Sequence, residues 1–389
     1  MQKKSFFFPT LLLGALLLTA AGCNIPQMSG SKEDSGKEST AEEAPLSQTS
    51  FKLDTIVTVS LYDSRDQELL SDCIGLCDQY EKIFSRTDED SELYQLNHRL
   101  LPLKEGTTDT YQVSEPLAEL LSLALSYSRN TDGAFNVAIA PLTSLWDFTS
   151  ENPAVPAAAD IQNAVEKCGC EGVSIDGCLV TLPSSDTAFD LGAIAKGYIA
   201  DRMKEYLLSH GVRSAIINLG GNILCIGEKA ADTPFKIGIQ KPFADRSETI
   251  AVMDIADKSV VSSGIYERYF EQDGKLYHHI LDSKTGYPCD NGLISVTIIS
   301  DRSVDGDALS TSCFALGLEK GMEYLQSLEN VQGVFITEDY EIHYTEGFHD
   351  VIRVTDEQEK LTEGLSSLLF FEQCGIHHTL HLCFSHYSV

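Results

Sequence analysis

The stretch YHHILDSKTGYPCDNGLISVTIISDRSVDGDALST, residues 277–311, decides how this chain is expected to fold. It begins with paired histidines on a short strand, passes through a Lys-Thr-Gly-Tyr-Pro turn, and enters a long β-branched strand at 293–299. A helix is predicted to open at 305–307. Asp307 and Thr311 are four residues apart in it, so their side chains would lie on one face.

A carboxylate and a hydroxyl on one helix face are hard oxygen ligands, which suit Mg²⁺ better than zinc. The alternative is an Asp that caps the helix and a Thr whose hydroxyl bonds back to the backbone, with no metal involved. The stretch alone leaves both interpretations open, and the rest of the chain is needed to choose between them.

The composition indicates a globular protein that does not bind nucleic acid. The 389 residues can bury a sizeable core, since 43% of them are hydrophobic and only 22% are charged. The formal net charge is −30, so the chain lacks the basic surface that a phosphate backbone requires. The same net charge argues against a polybasic membrane patch.

The cysteines predict neither a zinc site nor a disulfide framework. Of the 11 cysteines, only Cys73 with Cys77 and Cys168 with Cys170 are close in sequence. Neither pair has a partner pair at zinc spacing. The thiols are therefore expected to be free.

The N-terminal residues predict a lipoprotein signal peptide and a tether. Two lysines, a short apolar run and LTAAGC at 18–23 are typical of a secretory signal at residues 1–22, and the run is too short to span a membrane. Cleavage would leave Cys23 as a lipid-modified terminus; an ordinary secretory signal with a chance cysteine is the alternative. Residues 23–49 predict a flexible tether. We therefore expect an extracytoplasmic protein, lipid-anchored to the cell membrane.

The remaining pattern predicts an α+β fold with an antiparallel-sheet core in one domain over residues 50–355. Strands and helices alternate without a regular βαβ period, which disfavours a doubly wound sheet. Residues 356–389 are interpreted as a C-terminal extension of unknown role. Helical spacing is found at 66–84, 91–96, 114–127 and 190–211, and strands are predicted at 51–62, 173–175, 179–182, 189–191, 215–219, 223–227, 235–240, 250–255 and 259–261.

Two glycine-bearing segments are candidates for ligand binding. DLGAIAKG, residues 190–197, joins a strand end to a helix start, where backbone N–H groups and the helix dipole suit an anion. Lys196 could pair with a phosphate there, although no Walker or dinucleotide motif is present and a tight turn without a ligand is an equal alternative. NLGGN, residues 218–222, is weaker because glycines often mark only close packing.

Together these segments resemble the ApbE family of lipoproteins, the FAD:protein FMN transferases. The resemblance implies a T-fold-like architecture with FAD between sheet and helices. It also implies Mg²⁺-dependent transfer of FMN from FAD to a Thr or Ser of an exported acceptor protein, with AMP leaving. The matching stretches follow the family's order: FSRTDEDSELYQLN (84–97), DGAFNVAIAPLTSLWDF (132–148), DLGAIAKGYIAD (190–201), INLGGNI (217–223), KIGIQKP (236–242), SSGIYERYF (262–270), YHHILDSKTGYP (277–288) and DALST (307–311).

The resemblance implies roles for individual residues. Asp307 and Thr311 match metal ligands, and Ala193 would lend a backbone oxygen to Mg²⁺. His279 matches the residue taken to act as general base. Thr87 stands where the family usually has an aromatic residue. The positions that match FAD contacts are Thr87, Ala134, Phe135, Asn136, Asp190, Lys196 and Leu281.

Two other functions stay open at this point. An FAD pyrophosphatase would use water in place of the protein hydroxyl, and a non-catalytic FAD-binding lipoprotein would store or deliver FAD without turnover. The acceptor is not identified by the sequence. The family's usual partners are electron-transport subunits or FMN-binding domains.

Overall fold

The structure is a computed structural model that describes residues 44–245, 247–348, 352–354 and 361–363. The predicted signal peptide, Cys23, and most of the predicted tether and C-terminal extension lie outside these residues and stay predictions. Among the residues that are described, no helix is both long and apolar enough to cross a membrane.

The described residues form eight helices and seventeen strands. The helices are α1 (Gln67–Phe84), α2 (Glu92–Asn97), α3 (Glu115–Asn130), α4 (Ala140–Trp146), α5 (Ala158–Val165), α6 (Ala195–Ser209), α7 (Ser303–Leu316) and α8 (Leu318–Gln326). The strands are β1 (Leu46–Lys52), β2 (Thr55–Leu61), β3 (Thr110–Gln112), β4 (Ser174–Asp176), β5 (Leu179–Thr181), β6 (Ala215–Leu219), β7 (Asn222–Ile226), β8 (Phe235–Gln240), β9 (Thr249–Ile255), β10 (Ser259–Gly264), β11 (Tyr269–Gln272), β12 (Lys275–His278), β13 (Leu293–Ser300), β14 (Gln332–Thr337), β15 (Ile342–Tyr344), β16 (Ile352–Val354) and β17 (Leu361–Glu363).

A nine-stranded sheet forms the centre of the fold, in the order β1-β2-β6-β7-β10-β13-β14-β15-β17. Its neighbouring strands are antiparallel, except that β17 runs parallel to β15. Three smaller sheets have the orders β11-β12, β16-β9-β8 and β3-β5-β4. The predicted α+β class with an antiparallel-sheet core is confirmed.

Strand β13 is the most deeply buried part of this sheet, because it is covered on both faces. All eight of its residues are buried. Val296 and Ile298 pack with residues of α7 such as Phe314, whereas Ile299 packs with residues of β8 and β9. A strand enclosed on both sides requires a continuous apolar run, which explains the β-branched sequence of this segment.

Helices α6 and α7 cross closely where α6 carries a glycine. A Cβ atom placed on Gly197 would lie 2.3 Å from the carbonyl oxygen of Ser303 and 2.6 Å from the Cα of Val304. Helix α6 also caps the start of α7, since the carboxylate of Asp201 accepts the N–H groups of Ser303 at 2.8 Å and Val304 at 3.0 Å. The crossing and the cap together fix the position of α7.

The Asp201 cap is expected to make stability depend on pH. Burial raises the pKa of its carboxyl from the ordinary value of 3.8 to about 6, even though the two N–H donors act in the opposite direction. The folded state therefore binds the proton more tightly than the unfolded chain between about pH 4 and pH 6. The stability that this proton contributes is present at low pH and is lost as the pH rises through about 6.

We expect the free energy of unfolding of the wild type, relative to Asp201→Asn, to fall by about 1 kcal/mol between about pH 5 and pH 7.5. Asparagine keeps an oxygen acceptor for the helix but does not titrate, so the difference isolates this carboxyl. Urea denaturation at the two pH values measures it. A difference that stays constant with pH would contradict the raised pKa.

Several expectations about local structure were wrong. The segment predicted as one strand at 51–62 turns at Leu53 and Asp54 between β1 and β2, and the helix predicted at 190–211 begins at Ala195. Folded structure begins with β1 at Leu46, so residues 46–49 belong to a hairpin and not to the tether. The residues of β1 are mostly polar, so the sequence pattern did not indicate a strand there. Pairing with β2 stabilises it. Residues 189–191 form no strand, because the Asp190 N–H bonds to the Val137 carbonyl. Strand β17 lies within the region interpreted as an extension.

Candidate functional site

The carboxylate of Asp307 is buried near the start of α7, with the residue only 5% exposed. Its Oδ1 accepts a hydrogen bond from Asn222 Nδ2 at 2.8 Å, and its Oδ2 accepts one from the Gly197 N–H at 2.5 Å. It forms no ion pair with any Lys, Arg or His among the residues that the structure describes. A buried carboxylate that meets only neutral donors is suited to hold a cation.

The geometry of α7 differs from the metal-free alternative. Asp307 does not cap α7, because the N-cap position is Arg302 and the capping carboxylate is Asp201. Thr311, one turn later and half-buried, places its hydroxyl 3.2 Å from Ser263 Oγ on β10. Neither side chain is therefore used in the way that the metal-free interpretation requires.

The turn before α6 is joined to Asp307 by one hydrogen bond. Gly197 is the third residue of α6, a position whose N–H has no acceptor within its own helix. The Asp307 carboxylate accepts this N–H, and Ala193 lies in the turn that leads into the helix. One hydrogen bond thus connects the two segments that carry the predicted ligands Ala193 and Asp307.

The oxygen atoms of these three groups suit Mg²⁺ better than a softer metal ion. A carboxylate, a hydroxyl and a backbone carbonyl are all hard oxygens. The described part of the chain contains no group of three or more His, Cys, Asp or Glu side chains that could hold a metal ion. A site with a single carboxylate suits an ion that completes its coordination with water and substrate phosphates, which is the usual arrangement for Mg²⁺.

The paired histidines after β12 differ in how their ring nitrogens are used. In His278, Nε2 lies 3.0 Å from the Cys289 carbonyl and Nδ1 accepts the Ile280 N–H at 3.3 Å, so both nitrogens are occupied. In His279, Nδ1 lies 3.2 Å from the Arg268 carbonyl. A carbonyl can only accept, so Nδ1 carries the proton and Nε2 keeps its lone pair. Of the two, only His279 has a nitrogen available as a base.

His279 lies close to two cations. Burial, followed by the charges of Arg268, His278 and Lys196, lowers the pKa of His279 to about 3, so its imidazole is neutral at pH 7. Lys196 is the second residue of α6 and forms no ion pair with a carboxylate in the described part of the chain. Two cations beside a neutral imidazole suit a diphosphate group.

Asp190, predicted to contact FAD, has a positioning role in the structure. Its Oδ2 accepts hydrogen bonds from Arg86 Nε at 2.9 Å and Thr143 Oγ1 at 2.7 Å, and its Oδ1 accepts the Gly192 N–H at 2.8 Å. These bonds join the turn before α6 to α4 and to the loop after α1. Thr87 in that loop is exposed. Arg86 was not among the residues predicted from the sequence, although a cation in a polar loop is a candidate to pair with a carboxylate such as that of Asp190.

The segment with Ala134, Phe135 and Asn136 adjoins the turn before α6, since the Val137 carbonyl accepts the Asp190 N–H, but its side chains are engaged in other contacts. Ala134 lines an open groove of about 640 Å³, whose walls include Asp132 and Lys284 but not His279 or Asp307. Phe135 is only 2% exposed. The amide of Asn136 is occupied internally, since it donates to the Cys168 carbonyl at 3.2 Å and accepts the Ala138 N–H at 2.9 Å.

Leu281, another predicted FAD contact, is also part of the core. It is 5% exposed and packs in an apolar cluster with Trp146 and Phe270. The structure therefore brings together only some of the predicted residues. The segments that the Gly197–Asp307 hydrogen bond connects carry Ala193, Lys196, Asp307 and Thr311, and the charge of Lys196 also acts on His279. The predicted FAD contacts whose side chains are exposed, line another groove, pack in the core or bond to other elements are Thr87, Ala134, Phe135, Asn136, Asp190 and Leu281.

The fold is that of an α+β protein, and its candidate site offers groups of the kind that a phosphoryl transfer would use. Such a reaction needs charge neutralised on a phosphate group and a base near the attacking hydroxyl. Hard oxygens at Asp307 and Thr311 suit the first requirement, and the free Nε2 of His279 suits the second.

Comparison with known proteins identifies the family. The model of the ApbE family matches residues 53–335. An FAD:protein FMN transferase of Klebsiella pneumoniae is 42% identical over 288 residues, which cover 74% of this chain and 87% of that protein. One of Treponema pallidum is 34% identical over 80% of this chain and 89% of its own length.

A crystal structure of the ApbE protein from Thermotoga maritima agrees with the fold. Its TM-score is 0.70 at 30% identity, and the match covers 78% of this chain and 98% of that one. The chain belongs to the ApbE family, and the resemblance predicted from its motifs is confirmed. It is a member of a family of transferases.

Proposed function

We propose that this protein is an FAD:protein FMN transferase that uses Mg²⁺. It would move FMN from FAD to a Thr or Ser hydroxyl of an exported acceptor protein, form a phosphoester and release AMP. The observation that carries the proposal is the buried Asp307 carboxylate, which meets only neutral donors and is joined to the start of α6 by the Gly197 N–H. The names of its relatives support the transfer of FMN from FAD to a protein.

The proposed step exchanges one P–O bond for another and moves one proton. The acceptor hydroxyl gives its proton to His279 Nε2, and its oxygen bonds to the phosphorus of the FMN half. The bond from that phosphorus to the bridging oxygen breaks, and AMP leaves with the electron pair. Lys196 and Arg268 would bind diphosphate oxygens. When bound at Asp307, Thr311 and the Ala193 carbonyl, Mg²⁺ would neutralise charge on the diphosphate.

The low pKa of His279 has a consequence for this step. A pKa of about 3 keeps the imidazole unprotonated at pH 7 but makes it a weak base. The negative charges of a diphosphate beside Lys196 and Arg268 would oppose the cations and raise the pKa of His279 in the complex.

Replacement of His279 with glutamine is expected to lower kcat for acceptor flavinylation by about 100-fold, because glutamine cannot take the proton. The affinity for FAD should change little. In-gel flavin fluorescence measures transfer, and calorimetry measures FAD binding. The matched control is His278→Gln, which should lower the melting temperature but keep kcat within about 3-fold, since both nitrogens of His278 have structural partners. A kcat near wild type in His279→Gln would exclude it as the base.

The transferase proposal is tested by incubating the protein with FAD, Mg²⁺ and an FMN-acceptor domain, beside the same domain with its target Thr changed to Val. Covalent flavin on the Thr domain alone, with an equal amount of AMP, is expected. Free FMN without a labelled acceptor would favour the pyrophosphatase. FAD binding without AMP release would favour the binding lipoprotein.

The predicted lipid anchor would place this reaction outside the cytoplasmic membrane. A modified Cys23 with a tether would hold the domain near exported acceptors, such as electron-transport subunits or FMN-binding domains. Mass spectrometry of the N-terminal peptide of the mature protein tests this proposal, and an unmodified Cys23 would contradict it.

A further inference from the structure

The turn NLGGN, residues 218–222, carries a buried side chain that the proposed reaction does not use. Asn222, the first residue of β7, is 2% exposed. Its Nδ2 donates to Asp307 Oδ1 at 2.8 Å, and its Oδ1 accepts the hydroxyl of Ser303 at 2.7 Å. The amide therefore joins the first residue of α7 to the carboxylate one turn further along the same helix.

The Asp307 carboxylate fixes the direction of this amide, because an ionised carboxylate can only accept a hydrogen bond and the NH₂ group must face it. Ser259 Oγ lies 3.0 Å from Ser303 Oγ, and both residues are fully buried. Ser259 Oγ also lies 3.2 Å from the Ile223 carbonyl, so its single proton has two possible acceptors, whereas Ser303 donates to Asn222 Oδ1. A rotated amide would place its oxygen against the carboxylate of Asp307 and lose both bonds. The network thus holds the NH₂ group toward Asp307.

Two donors from different elements hold the two oxygens of this carboxylate. Asn222 on β7 binds Oδ1, and the Gly197 N–H on α6 binds Oδ2. The carboxylate cannot turn about its bond to Cβ without breaking one of these bonds. Each oxygen accepts only one of them, so a lone pair on each is left for a cation.

We propose that Asn222 is a positioning residue for the divalent cation, and that Ser303 acts through it. This inference rests on the metal role proposed for Asp307 and extends it. Outer partners that orient a metal ligand typically affect metal affinity or activity by about 10- to 100-fold. Loss of the Asn222 amide should therefore weaken cation binding, and excess Mg²⁺ should restore turnover.

The test is the binding of Mn²⁺, measured by electron paramagnetic resonance of free Mn²⁺ without FAD or turnover. We expect the Kd to rise about 10- to 100-fold in Asn222→Ala and by a smaller factor in Ser303→Ala. At saturating Mg²⁺, kcat should return to within about 3-fold of wild type in both. The matched control is Asn218→Ala in the same turn, because Asn218 accepts the Gly221 N–H and does not touch Asp307. Its Kd for Mn²⁺ should be unchanged.

The possible results separate this inference from the function on which it rests. A lower melting temperature in Asn222→Ala with unchanged Mn²⁺ affinity would mean a purely structural role and would overturn the inference alone. If wild type and Asp307→Asn bind Mn²⁺ equally, both the inference and the proposed metal role fail. Should Asn222→Ala not fold, Ser303→Ala decides, and an unchanged Kd in that variant overturns the inference.

Discussion

Replacement of Asp307 with asparagine is expected to lower the rate of FMN transfer by about 1,000-fold, which corresponds to about 4 kcal/mol of transition-state stabilisation. Asparagine has nearly the same shape, so it can keep one of the two hydrogen bonds to Asn222 and Gly197. It removes the negative charge that the cation requires. The melting temperature should fall little or rise, since a buried charge without an ionic partner is costly. AMP release and acceptor fluorescence measure the rate.

The matched control lies on the same helix. Asp305→Asn makes the same chemical change two residues earlier, where the carboxylate accepts the Tyr127 hydroxyl at 2.8 Å and pairs with Arg302 at 3.8 Å. This variant should lose some stability but keep kcat within about 3-fold of wild type. If AMP release were unchanged in Asp307→Asn, the assignment of the metal to this carboxylate would be wrong.

Replacement of Gly197 with alanine is expected to lower the free energy of unfolding by about 3 kcal/mol. The added methyl group would lie 2.3 Å from the Ser303 carbonyl oxygen, and this neighbour is backbone that cannot rotate away. Relief of the contact requires α6 and α7 to separate. Such a movement would also take Asp307 from the Gly197 N–H, so transfer should fall as well. Urea denaturation and the transfer assay measure the two effects.

Another helical glycine provides the comparison for this variant. Gly75 in α1 has no atom within 4 Å of an added Cβ, so Gly75→Ala should stabilise the protein by up to about 1 kcal/mol through helix propensity alone. A loss of stability in Gly197→Ala and a gain in Gly75→Ala would separate the effect of packing from that of helix propensity. Equal stabilisation in both variants would show that α6 and α7 are not held as close as the structure has them.

Local patterns in the sequence were sufficient for most of the helices and strands. The apolar spacing that predicted a helix at 66–84 is realised in α1, where Asp66 accepts the N–H groups of Glu68 and Leu69. The strand predicted at 235–240 is β8 with the same bounds. Such elements could be predicted because periodicity, capping and β-branched residues act over a few positions.

Local sequence patterns could not predict that the side chains expected to contact FAD would be buried. Phe135, Asn136 and Leu281 stand in motifs that resemble the family, yet Phe135 and Leu281 pack in the core and the Asn136 amide bonds to the backbone. Which side of a loop faces the core depends on what packs over it, and those partners lie far away in the chain. The motif predicts the residue type at a position but not its neighbours.

The sequence by itself determined the family, the α+β class, and the pairing of Asp307 with Thr311 on one helix face, because a motif and a helical period are properties of contiguous residues. Only the tertiary structure decided that the Gly197 N–H and the Asn222 amide would hold Asp307. These partners are separated from it by 110 and 85 positions. A hydrogen bond depends on distance and direction in space, and the close crossing of α6 with α7, together with the start of β7, supplies both.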